Sequence, residues 1–149
     1  MPWELILCRN SIESDEPLGS RDDVIAQLHK SLPGIEFEDK HEWSPEALAS
    51  MSDYAREICL RDRIEATYEC TVSDVALEIS GPDLPQVSHL LVDVHGSGNP
   101  IPMLKQLVDS TGWSIWDPME NVAVDVFAKR SNAWQRFRRW CIRAIKRTS

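Results

Sequence analysis

The sequence lacks the long apolar runs and compact ligand motifs that mark several large protein classes. No window approaches the ~18 consecutive apolar residues of a transmembrane helix, so we do not expect a membrane-spanning protein. The first five residues carry no basic n-region, and we therefore expect no secretory signal peptide. The four histidines are scattered and neither HExxH nor CxxC occurs, so we expect no metal site, and nothing indicates a cofactor.

Cysteine is sparse and never closely spaced. The four cysteines, Cys8, Cys59, Cys70 and Cys141, lie far apart along the 149 residues. A chain of this length forms a hydrophobic core without disulfides, whereas small secreted domains depend on them. We therefore expect four reduced thiols and a cytoplasmic protein.

The composition is that of one globular domain, with 42% hydrophobic and 27% charged residues. Helix start signals occur at Ser20 and Ser44, and the spacing of apolar residues predicts helices over 20–32, 45 to about 62, and from Pro100 to about 111. Alternating or short apolar segments predict strands over 3–8, 35–38, 65–72, 75–79, 89–95, 113–117 and 122–127. The pattern favours an α+β fold, a mostly antiparallel sheet with helices packed on it.

Acidic residues are absent from the last 22 residues. The segment 1–127 holds all 24 acidic residues and eight basic ones, a charge of −16, while 128–149 carries eight basic residues, a charge of +8. We therefore distinguish an acidic α+β body, 1–127, from a basic C-terminal segment, 128–149, within one domain. Such asymmetry is typical of a chain that interacts with a charged partner.

The basic segment has the pattern of an amphipathic helix over 131–147. Its apolar stripe covers an arc of about 140° and contains Ala133, Trp134, Phe137, Trp140, Cys141, Ala144 and Ile145. We expect this stripe to dock on the body, because burying its large side chains outweighs exposed ion pairs. Peripheral membrane contact is the alternative, and we expect no nucleic-acid partner, because the body repels phosphate. The residues predicted to contact a partner are Trp116, Arg136, Arg139 and Arg143.

The segment 93–100 contains the other candidate site residues. Asp93 and His95 share one face of a predicted strand, and a glycine-containing turn leads from it into a helix. This segment is a candidate anion or ligand loop, formed by Asp93, His95, Gly96, Ser97, Gly98 and Asn99. It matches neither the dinucleotide fingerprint nor the P-loop, and the simpler interpretation is a tight turn with positive φ at one glycine.

Several short motifs together resemble a family of small uncharacterised bacterial α+β proteins. They extend over about residues 1–125 and comprise the opening Met1–Leu5, Glu16–Gly19, Leu32–Gly34, Leu90–Pro100, Gly112-Trp113 and Asp117. The resemblance implies a strand that ends in a glycine-rich turn followed by a short helix, and it assigns no catalytic residue. Small acidic bacterial proteins of this type often act as immunity proteins against toxins.

These features favour a non-catalytic protein-binding module, an immunity-type inhibitor that presents an acidic surface to a basic toxin. The alternatives are a small enzyme that acts on an anionic small molecule at the 93–100 loop, and a peripheral membrane protein. A concave pocket that holds Asp93, His95 and the loop amides would favour the enzyme. A convex acidic surface would favour binding.

Overall fold

A computed structural model of the chain describes residues 2–38, 43–60 and 63–127, and in the C-terminal segment residues 134, 135, 137, 138 and 141. For residues 58–60 it describes the backbone alone. The described residues form nine strands, β1 Trp3–Cys8, β2 Gly19–Ser20, β3 Glu36–Phe37, β4 Arg63–Cys70, β5 Val75–Pro82, β6 Gln86–Val87, β7 Leu90–His95, β8 Ser114–Asp117 and β9 Val122–Val124. The helices of the body's described residues are α1 Arg21–Ser31, α2 Pro45–Ala49, α3 Asp53–Leu60 and α4 Ile101–Thr111, and the described residues of the C-terminal segment are also helical.

Seven strands form one antiparallel sheet in the order β3-β4-β5-β7-β1-β8-β9. The N-terminal strand β1 is internal and pairs with β7 on one side and β8 on the other. β2 and β6 form a separate two-stranded sheet. The predicted α+β architecture is confirmed. Within the described residues no helix is long and apolar enough to cross a membrane.

The core lies on one face of the large sheet, where α1 and α4 pack side by side. Strands contribute Leu5, Leu77 and Val92, and α1 and α4 contribute Leu28 and Leu107, all 0–1% exposed. The alternating burial of β5 and β7 follows from strand geometry, which points successive side chains to opposite faces.

Serine caps start the first two helices as predicted. The Ser20 hydroxyl accepts a hydrogen bond from the Asp23 amide (3.3 Å), and Ser44 accepts one from the Ala47 amide (3.1 Å). Helix α4 ends at its C-cap residue Gly112, which has a left-handed backbone with a φ of 74°. This confirms the predicted glycine stop.

The single helix predicted from 45 to about 62 is wrong, because the chain forms two helices there. α2 ends at Ala49, and the Ser52 hydroxyl caps a new helix by accepting the Ala55 amide (3.2 Å). Ser50 turns its hydroxyl back onto the Ala47 carbonyl (2.9 Å). Serine side chains compete with the helical backbone for hydrogen bonds, so two serines around one methionine interrupt a continuous apolar pattern.

Strand bounds also differ from prediction: β4 is Arg63–Cys70 and not 65–72, and β5 continues to Pro82 beyond the predicted end at 79. The last strand ends at Val124 and not at residue 127, because the Asp125 carboxylate accepts the Phe127 amide (3.0 Å) and starts a turn. The pairing of β2 with β6 was not predicted, since both strands lie in segments that contain chain-breaking Gly and Pro.

A buried side-chain hydrogen bond joins the first strand to the turn after β8. The Trp3 indole donates its N–H to Oδ2 of Asp117 (3.0 Å), and both residues are 2% exposed. Oδ1 of Asp117 accepts the backbone amides of Met119 and Glu120 (2.9 and 3.2 Å). One buried carboxylate therefore fixes the turn between β8 and β9 and holds the N-terminal strand beside it.

We predict that Trp3→Phe destabilises the fold more than Trp113→Phe. Both indoles are buried, but Nε1 of Trp113 has no hydrogen-bond partner among the described residues. Trp3→Phe removes a hydrogen-bond donor from the buried Asp117 carboxylate. We therefore expect it to lower the free energy of unfolding by about 1–3 kcal/mol more than Trp113→Phe does. Urea unfolding followed by circular dichroism measures the difference, and equal losses would contradict the role given to Asp117.

Candidate functional site

The face of the sheet opposite the core, called here the outer face, carries a row of carboxylates across five strands. The pairing register places Glu36 beside Thr67, Thr67 beside Glu78, Glu78 beside Asp93, and Asp93 beside Glu4. We call these five residues the acidic row. Asp93 and Thr67 are half-buried and the other three are exposed. Four carboxylates thus follow one line across β3, β4, β5, β7 and β1.

A second row on the outer face lies two residues away along each strand and is mostly apolar. Ser80 pairs with Leu91, Leu91 with Ile6, and Ile6 with Trp116. We call these four residues the apolar row. Leu91 is 43% exposed, and Ile6 and Trp116 are half-buried. Trp116, a predicted partner contact, therefore lies on the outer face beside the acidic row.

Asp93 and His95 occupy adjacent outward positions of β7, as their spacing predicts. The structure adds Glu78 of β5, whose carboxylate Oε2 lies 3.3 Å from Nε2 of His95. One ligand atom each from Glu78, Asp93 and His95 lie within 4.8 Å of one another. Sequence spacing missed Glu78, since only strand pairing brings β5 beside β7. Its outward position in the alternating segment 75–79 was the available signal.

The glycine turn after β7 packs against the hairpin turn between β4 and β5. Gly96 has a φ of +98°, which confirms the predicted positive φ at one of the two glycines. A Cβ at Gly98 would lie 1.6 Å from the Ser73 carbonyl oxygen, and one at Gly96 would lie 2.1 Å from the carbonyl oxygen of Asp74. Both glycines therefore allow a close approach of two backbone segments, a reason that the sequence did not show.

The loop amides donate to the hairpin turn. The Asp74 carboxylate accepts the Ser97 amide (3.2 Å) and a short hydrogen bond from the Ser97 hydroxyl, while the Gly98 amide donates to the Asp74 carbonyl (3.0 Å). The two bonds from Ser97, the hydroxyl bond first, lower the pKa of the Asp74 carboxyl. Asn99 accepts the Ile101 amide (3.0 Å) just before α4. An external anion at this loop would compete with Asp74 for the Ser97 amide.

The C-terminal segment contacts the core side of the sheet through its described residues. The Phe137 ring stacks on Trp3 with centroids 6.0 Å apart, and Trp134 packs against the core cluster. Both contacts agree with the predicted docking. Trp140 and Ile145 lie outside the described residues, as do Arg136, Arg139 and Arg143, so docking of the whole segment and those partner contacts stay predictions.

A cavity of about 370 Å³ lies beside this stack. It is lined by Pro2, Trp3, Glu4, Pro118, Met119 and Phe137. None of the residues of the candidate ligand loop is part of this lining. Among its described lining residues, this cavity is therefore not a pocket that Asp93, His95 and the loop amides share.

The chain was compared with protein-family models, curated proteins and solved structures, and none matches it.

We predict that Gly98→Ala costs about 3 kcal/mol of unfolding free energy. This lies at the upper end of the usual overpacking range because the obstacle is a backbone carbonyl, which yields less than a flexible side chain. The matched control is Gly34→Ala. Gly34 has a positive φ of 93° but open space around it, so the expected loss is about 1 kcal/mol. Equal losses in urea unfolding would contradict the close approach of the two turns.

We predict that Ser97→Ala raises the pKa of Asp74 towards its ordinary value, because it removes the hydroxyl bond, the larger of the two Ser97 hydrogen bonds that lower this pKa. A lowered folded-state pKa stabilises the protein above the unfolded-state pKa, and this contribution is lost as the pH falls through the folded-state value. The destabilisation by Ser97→Ala should therefore shrink under acid conditions. Carboxyl ¹³C NMR titration measures the pKa, and Ser88→Ala is the control. An unchanged Asp74 titration in Ser97→Ala would refute the interaction.

Proposed function

We propose that the protein is a non-catalytic binding module that uses its outer face to bind a basic protein partner, as an immunity-type inhibitor of a bacterial toxin does. The main support for this proposal is the acidic row, in which strand pairing aligns the carboxylates of Glu36, Glu78, Asp93 and Glu4. We place this activity in the cytoplasm, where reducing conditions suit free thiols. Cys8, Cys70 and Cys141 are free, and the Cys59 side chain lies outside the described residues.

Electrostatics supports a basic partner. Aligned like charges on a rigid sheet create a local negative potential that speeds the encounter with a positive surface and weakens with salt. Arg63 lies on the same face beyond Glu65, at the start of β4, and does not enter the acidic row. Of the described C-terminal residues, Trp134 and Phe137 pack against the core cluster, and Phe137 stacks on the inward-facing Trp3.

The apolar row supports protein binding rather than binding of simple cations alone. Leu91, Ile6 and Trp116 lie next to the carboxylates and offer contact area that gains free energy when water is displaced. Tryptophan is also enriched among residues that dominate binding energy in protein interfaces. An apolar strip bordered by charge suits a partner that carries basic residues around a hydrophobic centre.

The arrangement at the 93–100 segment gives less support to an enzyme. Asp93 and His95 face outward on β7, while the loop amides of Ser97 and Gly98 donate to Asp74. Asp93 and His95 therefore belong to the outer face, whereas the loop amides belong to the contact with the β4–β5 turn. A non-catalytic outer face explains Asp93 and His95, and a structural turn explains the two glycines.

The test is a titration of the ¹⁵N-labelled full chain with hexalysine and with a hexalysine peptide that carries one tryptophan. We expect the largest amide shifts in β1, β5 and β7, and tighter binding of the tryptophan peptide because it can contact the apolar row. The double variant Glu4→Gln/Glu36→Gln should bind about three- to tenfold more weakly, as expected for two exposed charges.

The matched control is Asp15→Asn/Asp109→Asn, which removes the same charge from exposed sites outside the acidic row. It should bind hexalysine nearly as well as the unmodified chain. Equal weakening by the two double variants would show that total charge, and not the outer face, attracts the peptide. Shifts centred away from β1, β5 and β7 would also refute the proposal.

A further inference from the structure

Three side chains with metal-ligand chemistry meet on the outer face. The potential ligand atoms of Glu78, Asp93 and His95 all lie within 4.8 Å of one another. Glu78 and Asp93 are direct cross-strand partners, and His95 follows Asp93 by two residues on the same face. The sheet thus holds two ligands on β7 and one on β5, which limits their backbone movement more than a loop would.

The imidazole nitrogen nearest the carboxylates faces Glu78 and has no hydrogen-bond partner among the described residues. Nε2 of His95 is shielded from solvent although the side chain is 39% exposed, and it makes no well-directed hydrogen bond to any described residue. It lies 3.3 Å from Oε2 of Glu78. Two ligands bound to one metal at about 2.0–2.2 Å are separated by roughly 3–3.5 Å, so this spacing already suits a shared ion.

The surrounding charges also favour a cation. Asp93 is opposed directly by Glu78 on one side and Glu4 on the other. Like charges at directly opposed positions destabilise a sheet, and a bound cation would relieve that repulsion. The imidazole points to the kind of cation, since Ca²⁺ and Mg²⁺ prefer oxygen ligands and Zn²⁺ and its neighbours accept nitrogen with carboxylate.

We propose that Glu78, Asp93 and His95 form a binding site for a divalent transition-metal ion, with Zn²⁺ as the probe that fits the ligand set. Three protein ligands leave a coordination position open for water or for a donor group of another molecule. This proposal does not rest on the basic partner, and its residues are separate from the Glu4 and Glu36 pair used to test that function.

Calorimetric titration of the full chain with Zn²⁺, under reducing conditions with a non-chelating reductant, tests the site. We expect a 1:1 complex, and at least tenfold weaker binding in each of Glu78→Gln, Asp93→Asn and His95→Asn. The controls are Glu69→Gln, an exposed carboxylate of β4, and His89→Asn, an exposed imidazole outside the cluster. Both should keep the affinity of the unmodified chain.

Paramagnetic broadening of the unmodified chain by Co²⁺ provides a second readout that needs no substitution. Amide signals should broaden first around residues 78, 93 and 95. Broadening centred on Cys70, or Zn²⁺ affinity unchanged in His95→Asn, would overturn the assignment. So would the absence of Zn²⁺ binding by the unmodified chain at millimolar metal.

Discussion

The pairing register of β7 with β5 and β1 is the constraint on which the rest of the structure depends. Because side chains alternate along a strand, a slip of one residue would bury Asp93 and His95 and expose Val92 and Val94. The apolar core face therefore fixes the register, and the register in turn aligns the carboxylates of neighbouring strands on the outer face. Core packing and surface charge are two results of the same pairing.

Two connections at the same end of the strands hold that register in place, one on each side of the β1–β7 pair. On the β8 side, the Trp3–Asp117 hydrogen bond ties β1 to the turn after β8, and Phe137 stacks on the same indole. On the β5 side, Asp74 ties the β4–β5 turn to the loop that follows β7. The second connection explains the Gly-Ser-Gly sequence by contact between two backbones, which leaves no room for side chains at Gly96 and Gly98.

Local patterns predicted most of the fold, because alternation, caps and chain breakers act within a few residues. The Ser20 cap, the Gly112 stop and the strand Leu90–His95 are of this kind. Pairings between distant segments were not predictable from such signals. For this reason the sequence placed Asp93 beside His95 but missed Glu78, and it identified Ser97 without its partner Asp74. The break at Ser50–Ser52 was missed because the apolar period continues across it.

The central claim is that the sheet register concentrates negative potential on the outer face. Relaxation enhancement of amide protons by soluble nitroxides, one cationic and one anionic, measures this potential residue by residue in the full chain at low salt. The account predicts that the ratio of cationic to anionic enhancement in the acidic body is highest along Glu36, Thr67, Glu78, Asp93 and Glu4. A ratio that is uniform across the body, or highest on α1 and α4, would contradict it.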